Sequence, residues 1–299
     1  MLLPALSVDC WAQVFSQLDA ANQLVCSLVC KSWFALLKVA YRFVTAWRVV
    51  IRESCHLSDC QFVPTGDGTF WANVHLCVCD AHGDLQLSVL EALLEAAGPY
   101  ALHLSVEDET VSAKSSVDGR ILQLLFERCC KLDSLQLYNV NLSRVELCNL
   151  LPVGLMRKLN MLLVDDCYPN LLINDKLLSV VADIETITEI HLRHCDALTD
   201  RSMKWFSEKC PYLSNVDVTG CKALTAVGLA CLVVSLPSKV HDLVHVKVSE
   251  LAVDGEQLKA LSLLHDDDWV FISFQIALGR SACCIYRRTV PHKSVVIYV

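Results

Sequence analysis

The sequence predicts an α/β protein in which short strands alternate with helices, preceded by a short helical segment. Two observations support this class. Between about residues 130 and 235, apolar residues recur in a box that repeats every 26 to 30 residues, a period typical of strand-plus-helix units. Before residue 42, apolar residues recur at the three- and four-residue intervals of amphipathic helices.

The composition is that of a folded, acidic protein. Hydrophobic residues make up 54% of the 299 residues and charged residues only 19%, which excludes a disordered or low-complexity chain. The formal net charge of −8 provides no basic field for phosphate backbones, so no nucleic-acid partner is expected.

The mean hydropathy of +0.42 raises the question of a membrane span. The longest apolar stretch without acidic or basic residues, 223–238, has 16 residues, short of the roughly 20 that cross a bilayer. It predicts a buried helix. The first residues lack the basic start of a signal peptide, so we expect a cytoplasmic or nuclear location and no membrane partner.

The repeating box has the form L-x-x-L-x-L-x-x-C, with other apolar residues in some leucine places. It occurs at 159–167, 187–195, 213–221 and, with leucine in the last place, 243–251. Further copies begin at Leu132, Trp71 and Trp269, a partial copy contains Leu102 and Leu104, and Ile297 and Val299 are expected to close the array. The alternating L-x-L places two side chains on one face of a strand.

The 17 cysteines are interpreted as core thiols. A disulfide framework belongs to small secreted domains, and none of the close cysteine pairs has the paired C-x2-C spacing of a structural zinc site. The cysteine that ends each box is small and apolar enough to enter the interior where the chain leaves the strand.

The boxes resemble the cysteine-containing leucine-rich repeats, most closely from His194 through Cys221. The resemblance implies a curved, right-handed α/β solenoid over residues 43–299, clearest at 130–235, with a parallel β-sheet on its concave face. Each segment between boxes then reads as a helix, for example 200–210, with Thr199 as its capping residue.

The first 42 residues resemble an F-box. The family pattern is matched by Leu6, Asp9, Val14-Phe15, Leu18, Leu24 and the block Ser27-Leu28-Val29-Cys30-Lys31-Ser32-Trp33. One departure is Ser7, which stands where the family usually has proline and which can cap the first of three expected helices.

An F-box followed by leucine-rich repeats implies the substrate-recognition subunit of an SCF-type ubiquitin ligase. The F-box would dock a Skp-type adaptor, and through it a cullin–RING scaffold, while the repeats bind a protein substrate. The expected adaptor-binding residues are Leu6, Val14, Phe15, Leu18, Leu24, Leu28, Val29 and Trp33, some of which must form the small internal core. The alternative is a leucine-rich-repeat scaffold or inhibitor that recruits no ligase, with residues 1–40 as a helical cap.

The substrate is expected on the outward residues of successive strands, which form ladders across the sheet. The favoured patch combines aromatic and charged side chains: Tyr138, Leu163, Asp165, His191, Arg193 and Asp217. His75 and His103 would fall on adjacent strands in the predicted register, but two histidines without a third ligand are usually polar surface. No metal or cofactor is predicted.

Enzyme motifs for phosphate binding, nucleophilic hydrolysis or zinc-dependent proteolysis are absent from the sequence. Buried box thiols would be poor nucleophiles. We therefore expect a binding protein with no catalytic residues of its own.

Overall fold

The computed structural model describes much of the chain, in segments. These are residues 7–18, 26, 29–33, 35–36, 46–52, 61–63, 73–79, 91, 94–95, 98–109, 119–140, 142, 158–168, 173–235, 243–248, 269–275, 281–287 and 294–298. The chain divides into two compact units, Met1–Arg144 and Val145–Val299. Each unit is described by itself.

The first unit begins with helix α1, Val8–Ser16. Ser7 is its N-cap, because the extended Ser7 backbone lets the hydroxyl accept a hydrogen bond of 3.2 Å from the Cys10 N–H. Asp9 lies in the first turn, where its charge complements the positive end of the helix. The predicted cap is confirmed, so the serine in the family's proline place has a local structural role.

The described residues of the first unit include five strands, arranged in the order β5-β4-β1-β3-β2. They are β1 (Ala46–Arg52), β2 (Gln61–Val63), β3 (Asn73–Cys79), β4 (His103–Asp108) and β5 (Ser134–Tyr138). All neighbours are parallel except β2 and β3, which are antiparallel. The sequence analysis missed β1, which is inserted between β3 and β4. His75 and His103 are therefore not on adjacent strands, and the predicted adjacency is wrong.

The register of β4 also differs from the prediction. Ser105, not His103, lies opposite Gln136 of β5. Leu104 and Val106 are buried, while Leu102 is exposed. The two inward places of this strand, predicted at Leu102 and Leu104, are therefore occupied by Leu104 and Val106. The box begins at Ala101, two residues later than predicted. Helix α2, Gly119–Arg128, follows β4 in the chain and buries Leu122, Leu125 and Phe126, among others.

The second unit confirms the repeat over its clearest part. Strands β6 (Met161–Asp165), β7 (Glu189–Arg193), β8 (Asn215–Asp217) and β9 (Leu243–Lys247) are parallel neighbours in this order. Helices α3 (Asp175–Val181), α4 (Asp200–Lys209) and α5 (Ala226–Ser235) lie between them in sequence and pack side by side. Leu163, His191, Asp217 and Lys247 lie opposite one another in the predicted register.

The apolar places of each box form the core of this unit. Ile190, Leu192, Val216 and Val218 are 0% exposed. The box cysteines are buried in the same way, and they include Cys167, Cys195 and Cys221. The sequence prediction of interior thiols is confirmed at these positions.

The residue before the last place has a left-handed backbone in four of the boxes. Asn139, Asp166 and His194 have φ values of 53°, 50° and 54°, and Gly220 has 72°. Glycine, asparagine, aspartate and histidine are the residues that adopt this conformation most readily. At Gly220 a side chain would also collide with the ring of His194, whose Cε1 would lie 2.8 Å from an added Cβ. The turn that leaves each strand therefore selects the residue types at this place.

Hydrogen bonds between successive helix starts reinforce the stacking. The N–H and hydroxyl of Thr199, the N-cap of α4, donate to Asp175 at the start of α3, over 3.0 and 2.6 Å. Thr225 makes the same pair of bonds to Asp200 of α4, over 2.8 and 2.6 Å. Each aspartate thus joins the first turn of its own helix to the cap of the next, and the predicted role of Thr199 is confirmed and extended.

The C-terminal strands depart from the predicted array. β12 (Ser294–Tyr298) pairs with β9 in parallel, while β11 (Ser281–Arg287) and β10 (Trp269–Gln275) continue the sheet with antiparallel pairing. The box at Trp269 is therefore not the next parallel repeat after β9, which is a correction. Ile297 of β12 lies opposite Val246, but β11 and β10 continue the sheet beyond β12, so the expectation that the final strand closes the array is wrong. Val299 lies outside the described residues.

The apolar stretch at 223–238 contains α5, in which Leu229, Ala230 and Leu232 are buried. No helix within the described ranges has the length and apolarity needed to span a membrane.

Candidate functional site

A cluster of three aromatic rings joins α1 to the helical residues 31–33. The ring centroid of Phe15 lies 5.6 Å from that of Trp11 and 5.4 Å from that of Trp33, and the two tryptophan rings are 6.0 Å apart. Stacked and edge-to-face pairs at these distances are favourable beyond the area that they bury. Phe15 is buried, so the cluster is the internal core of this helical segment.

Two valines of the same segment face solvent. Val14 is 48% exposed and Val29 is 60% exposed. Successive residues on a helix point about 100° apart, which is why Val14 faces outward while its neighbour Phe15 faces the aromatic cluster. Contiguous exposed apolar patches mark partner surfaces, and Val14 and Val29 are the exposed large apolar residues among those described in this segment.

The residues predicted to bind an adaptor therefore separate into two groups. Phe15 and Trp33 form the core, Val14 and Val29 form surface, and Leu18 is half-buried. Leu6, Leu24 and Leu28 lie outside the described residues. Sequence periodicity identifies all these positions as apolar, but the ring contacts decide which of them face inward.

The outward side chains of β6, β7 and β8 form a row of ion pairs centred on Arg193. Its Nε donates to Asp217 Oδ2 over 2.8 Å, and its Nη1 donates to Asp165 Oδ2 over 3.1 Å. Asp165 lies directly opposite Arg193 in the parallel register, whereas Asp217 lies opposite His191 and meets Arg193 diagonally. We call Asp165, Arg193, Asp217 and the neighbouring Lys247 the ion-pair row.

Asp217 is the most buried member of the ion-pair row, with its side chain 3% exposed. Its Oδ1 accepts bonds from the Thr219 N–H and hydroxyl, over 3.1 and 2.6 Å, and Lys247 Nζ lies 3.5 Å from Oδ2. Burial alone would raise the pKa of Asp217, but the bonds from Thr219 and Arg193 outweigh it and lower the pKa. The carboxylate is therefore fully used within the fold.

Arg193 is stabilised in its charged form by the same contacts. Its partial burial opposes the charge, yet the bonds and attraction from Asp217 and Asp165 raise the pKa of the guanidinium. Because its side chain is still 30% exposed, Arg193 presents charge to solvent as well as to its partners.

The other predicted substrate residues occupy different environments. His191 Nε2 lies 3.4 Å from Glu189 Oε2, and Leu163 is 7% exposed. Tyr138 belongs to the first unit, where its hydroxyl donates to Gln136 Oε1 over 3.2 Å. The second unit thus brings Asp165, Arg193 and Asp217 into direct contact, while the nearly buried Leu163 offers little surface.

A cavity of about 390 Å³ lies beyond the ends of β6, β7 and β8. We call it the strand-end cavity; it is lined by Asp166, Cys167, Tyr168, His194, Asp196, Gly220 and Lys222. Donor atoms of Asp165, Asp166 and His194 lie within 4.8 Å of one another at this place. The sequence analysis did not assign a role to Asp166 or His194, although their shared place before the box cysteine was a usable signal.

The described box thiols of the second unit, Cys167, Cys195 and Cys221, are buried. The Cys221 Sγ donates to the Leu192 carbonyl over 2.9 Å. Contact with the Cys221 thiol and burial together raise the pKa of Cys195. In the first unit, burial and the adjacent Cys130 raise the pKa of Cys129 to about 12. The raised pKa values keep the Cys195 and Cys129 thiols protonated at neutral pH, whereas the hydrogen bond with Cys195 lowers the pKa of Cys221 although burial opposes that shift.

Comparison with known proteins identifies the N-terminal segment. A search of curated proteins finds no match to the chain. Among solved structures, a chain of the crystal structure of the Rad7 and Elc1 complex in yeast is similar, with 16% sequence identity and a TM-score of 0.49. The similarity covers 60% of the present chain and 45% of the yeast chain, so the present chain spans less than half of the yeast chain's length. The family model described as F-box domain matches residues 3–44, and these residues are therefore an F-box domain.

Proposed function

We propose that this protein is the substrate-recognition subunit of an SCF-type cullin–RING ubiquitin ligase. The observation that carries the proposal is the F-box domain at residues 3–44, placed ahead of parallel strand-and-helix repeats. In this role the F-box docks a Skp-type adaptor in the cytoplasm or nucleus, and the repeats hold a protein for ubiquitin transfer by the other subunits.

The adaptor side of the proposal is supported by the exposed valines. Val14 and Val29 leave apolar surface in solvent above a core made by Trp11, Phe15 and Trp33. Burying such surface against an adaptor removes it from water, which is the dominant favourable contribution to association. Phe15 is buried within the aromatic cluster, whereas Trp11 and Trp33 keep part of their surface exposed, so Trp33 remains a proposed adaptor contact.

The substrate side of the proposal rests on the outward faces of the strands. We propose that the repeats form a curved, right-handed leucine-rich-repeat solenoid whose parallel sheet lines the concave face. Asp165, His191 and Arg193 keep part of their surface exposed there, so they are the proposed contacts. Leu163 and Asp217 support them from beneath, and Tyr138 is a proposed contact from the first unit.

The proposed subunit performs no chemistry of its own. The box thiols of the described residues are buried, and the aspartates of the ion-pair row are bonded to Arg193. A receptor needs only two binding surfaces, because ubiquitin transfer takes place on the ligase subunits that the adaptor brings.

Co-expression with a Skp-type adaptor tests the proposal. The receptor role predicts that the purified chain elutes with the adaptor as a one-to-one complex in size-exclusion chromatography. A folded chain that elutes alone, with the helical signal of the F-box intact in circular dichroism, would instead support a leucine-rich-repeat scaffold or inhibitor that recruits no ligase.

A further inference from the structure

The strand-end cavity coincides with a cluster of potential metal ligands. Asp166 and His194 line the cavity, and their donor atoms lie within 4.8 Å of each other and of a carboxylate oxygen of Asp165. Two carboxylates and one imidazole are a ligand set suited to a divalent metal of borderline softness such as Zn²⁺.

We propose that Asp165, Asp166 and His194 form a Zn²⁺-binding site that opens into the strand-end cavity. Three protein ligands leave one position of a tetrahedral zinc open, and the cavity of about 390 Å³ gives water or a donor group of a bound protein access to it. The two carboxylate charges match the charge of the ion. The site is independent of the adaptor role of the F-box.

The backbone holds two of the ligands in position. Asp166 and His194 occupy the same place in successive repeats, and both have the left-handed conformation, with φ values of 50° and 54°. The His194 N–H donates to the Thr219 carbonyl over 2.9 Å. Its ring lies against Gly220, where no side chain larger than hydrogen fits. These contacts restrict the ring before any metal binds.

The third ligand is oriented by a neighbour. Arg193 Nη1 donates to Oδ2 of Asp165 over 3.1 Å, and one oxygen of the same carboxylate lies within 4.8 Å of the donor atoms of Asp166 and His194. Ligating carboxylates are commonly held by such outer hydrogen bonds. Arg193 also donates to Asp217, so the Asp217 carboxylate partly neutralises the guanidinium charge that lies near the proposed metal.

The nearby lysine does not occupy the site. Lys222 Nζ lies 3.5 Å from Asp196 Oδ2, and the lysine side chain is 79% exposed. The Lys222 ammonium is therefore paired with Asp196 at the cavity wall. Its exposed side chain can move toward solvent when an ion enters.

Titration of the full-length, chelator-treated protein with Co²⁺ tests the proposal. Cobalt reports its ligands by visible absorption, and sulfur ligation adds an intense charge-transfer band, which matters in a chain with 17 cysteines. The test variants are His194→Asn and Asp166→Asn. Asparagine keeps the left-handed backbone, as Asn139 does at the equivalent place.

The matched control variants are His103→Asn and Asp183→Asn, which change an exposed histidine and an exposed aspartate away from the cavity. We expect one Co²⁺ per chain, without the sulfur band. Each test variant should weaken binding at least tenfold, about the loss seen when even an outer partner of a ligand is removed, and the controls should not. Equal Co²⁺ affinity of wild type and both test variants, or a sulfur band that persists in them, would overturn the proposal.

Discussion

Val14 and Val29 of the F-box expose apolar side chains to solvent, whereas Arg193 in the repeats is bonded to carboxylates on both neighbouring strands. The valines have solvent-exposed apolar surface, whereas the charge of Arg193 is paired with carboxylates of its own fold. A charged residue on the outward face of a repeat is therefore not necessarily a binding residue. The ion pairs of Arg193 join neighbouring strands, while Val14 and Val29 leave apolar surface in contact with solvent.

The largest stability effect is expected at Asp217. Asp217→Ala leaves Arg193, Lys247 and Thr219 without their shared acceptor, and we expect the free energy of unfolding to fall by about 3 kcal/mol. Urea denaturation measures the loss. The matched control, Asp183→Ala, breaks an exposed pair with Lys209, for which a loss of about 0.5 kcal/mol is expected. Equal losses would mean that the ion-pair row is an ordinary surface feature.

The next effect concerns the close packing of α4 and α5. Glycine to alanine in a helix normally stabilises by about 1 kcal/mol. At Gly228 an added Cβ would lie 2.8 Å from Asp200 Cα, so Gly228→Ala should instead destabilise by about 2 kcal/mol. Val227→Ala, at an exposed position of the same helix, serves as the control and should stay within about 0.5 kcal/mol of wild type. Stabilisation by Gly228→Ala would show that the helices are further apart than described.

The bonds between helix starts should have a smaller effect. Thr199→Ala removes both the cap of α4 and the hydroxyl that donates to Asp175, and we expect a loss of about 1 kcal/mol. Thr199→Ser retains the hydroxyl and should recover most of that stability in thermal unfolding. If serine were no better than alanine, the hydroxyl bonds would not be the cause.

The smallest effect is a pH dependence. The pKa of Asp217 and that of Asp175 are lowered in the folded protein, although burial opposes both shifts, because hydroxyl and N–H donors bind the carboxylates. A lowered pKa stabilises the fold above the ordinary value and loses that contribution as pH falls, here below about pH 5. Asp217→Asn should therefore flatten the acid decline of the melting temperature, while Asp183→Asn should leave it unchanged. Parallel declines in Asp217→Asn and wild type would contradict the lowered pKa.

The sequence was sufficient for features that depend on local spacing. The box pattern predicted β6, β7 and β8, the buried Cys195, and the cap at Thr199, because each depends on a few neighbouring residues. The left-handed place occupied by His194 and Gly220 was also readable from residue type, although the sequence analysis did not use it.

The remaining features depend on pairing between distant segments. No short sequence pattern indicates that β1 pairs with both β3 and β4, because this pairing joins segments that are distant in the chain. A two-residue shift of a strand keeps the same side chains on the same face, so alternation could not decide between Leu102 and Leu104 as the start of the inward series. The burial of Asp217 was missed because it arises from partners on other strands, such as Arg193 and Lys247.

The central claim is that the exposed face of the F-box binds a Skp-type adaptor. The most direct test is the affinity of the purified chain for the adaptor, measured for wild type, for the double variant Val14→Glu/Val29→Glu, and for Val227→Glu. Val227 is a matched control because it is 53% exposed on a helix of the repeats. Because Val14 and Val29 are 48% and 60% exposed, burying both removes about the surface of one full valine from water, at least about 1.5 kcal/mol. The double variant should therefore bind at least about tenfold more weakly, with Val227→Glu unchanged. Unaltered binding by a folded double variant would contradict the claim.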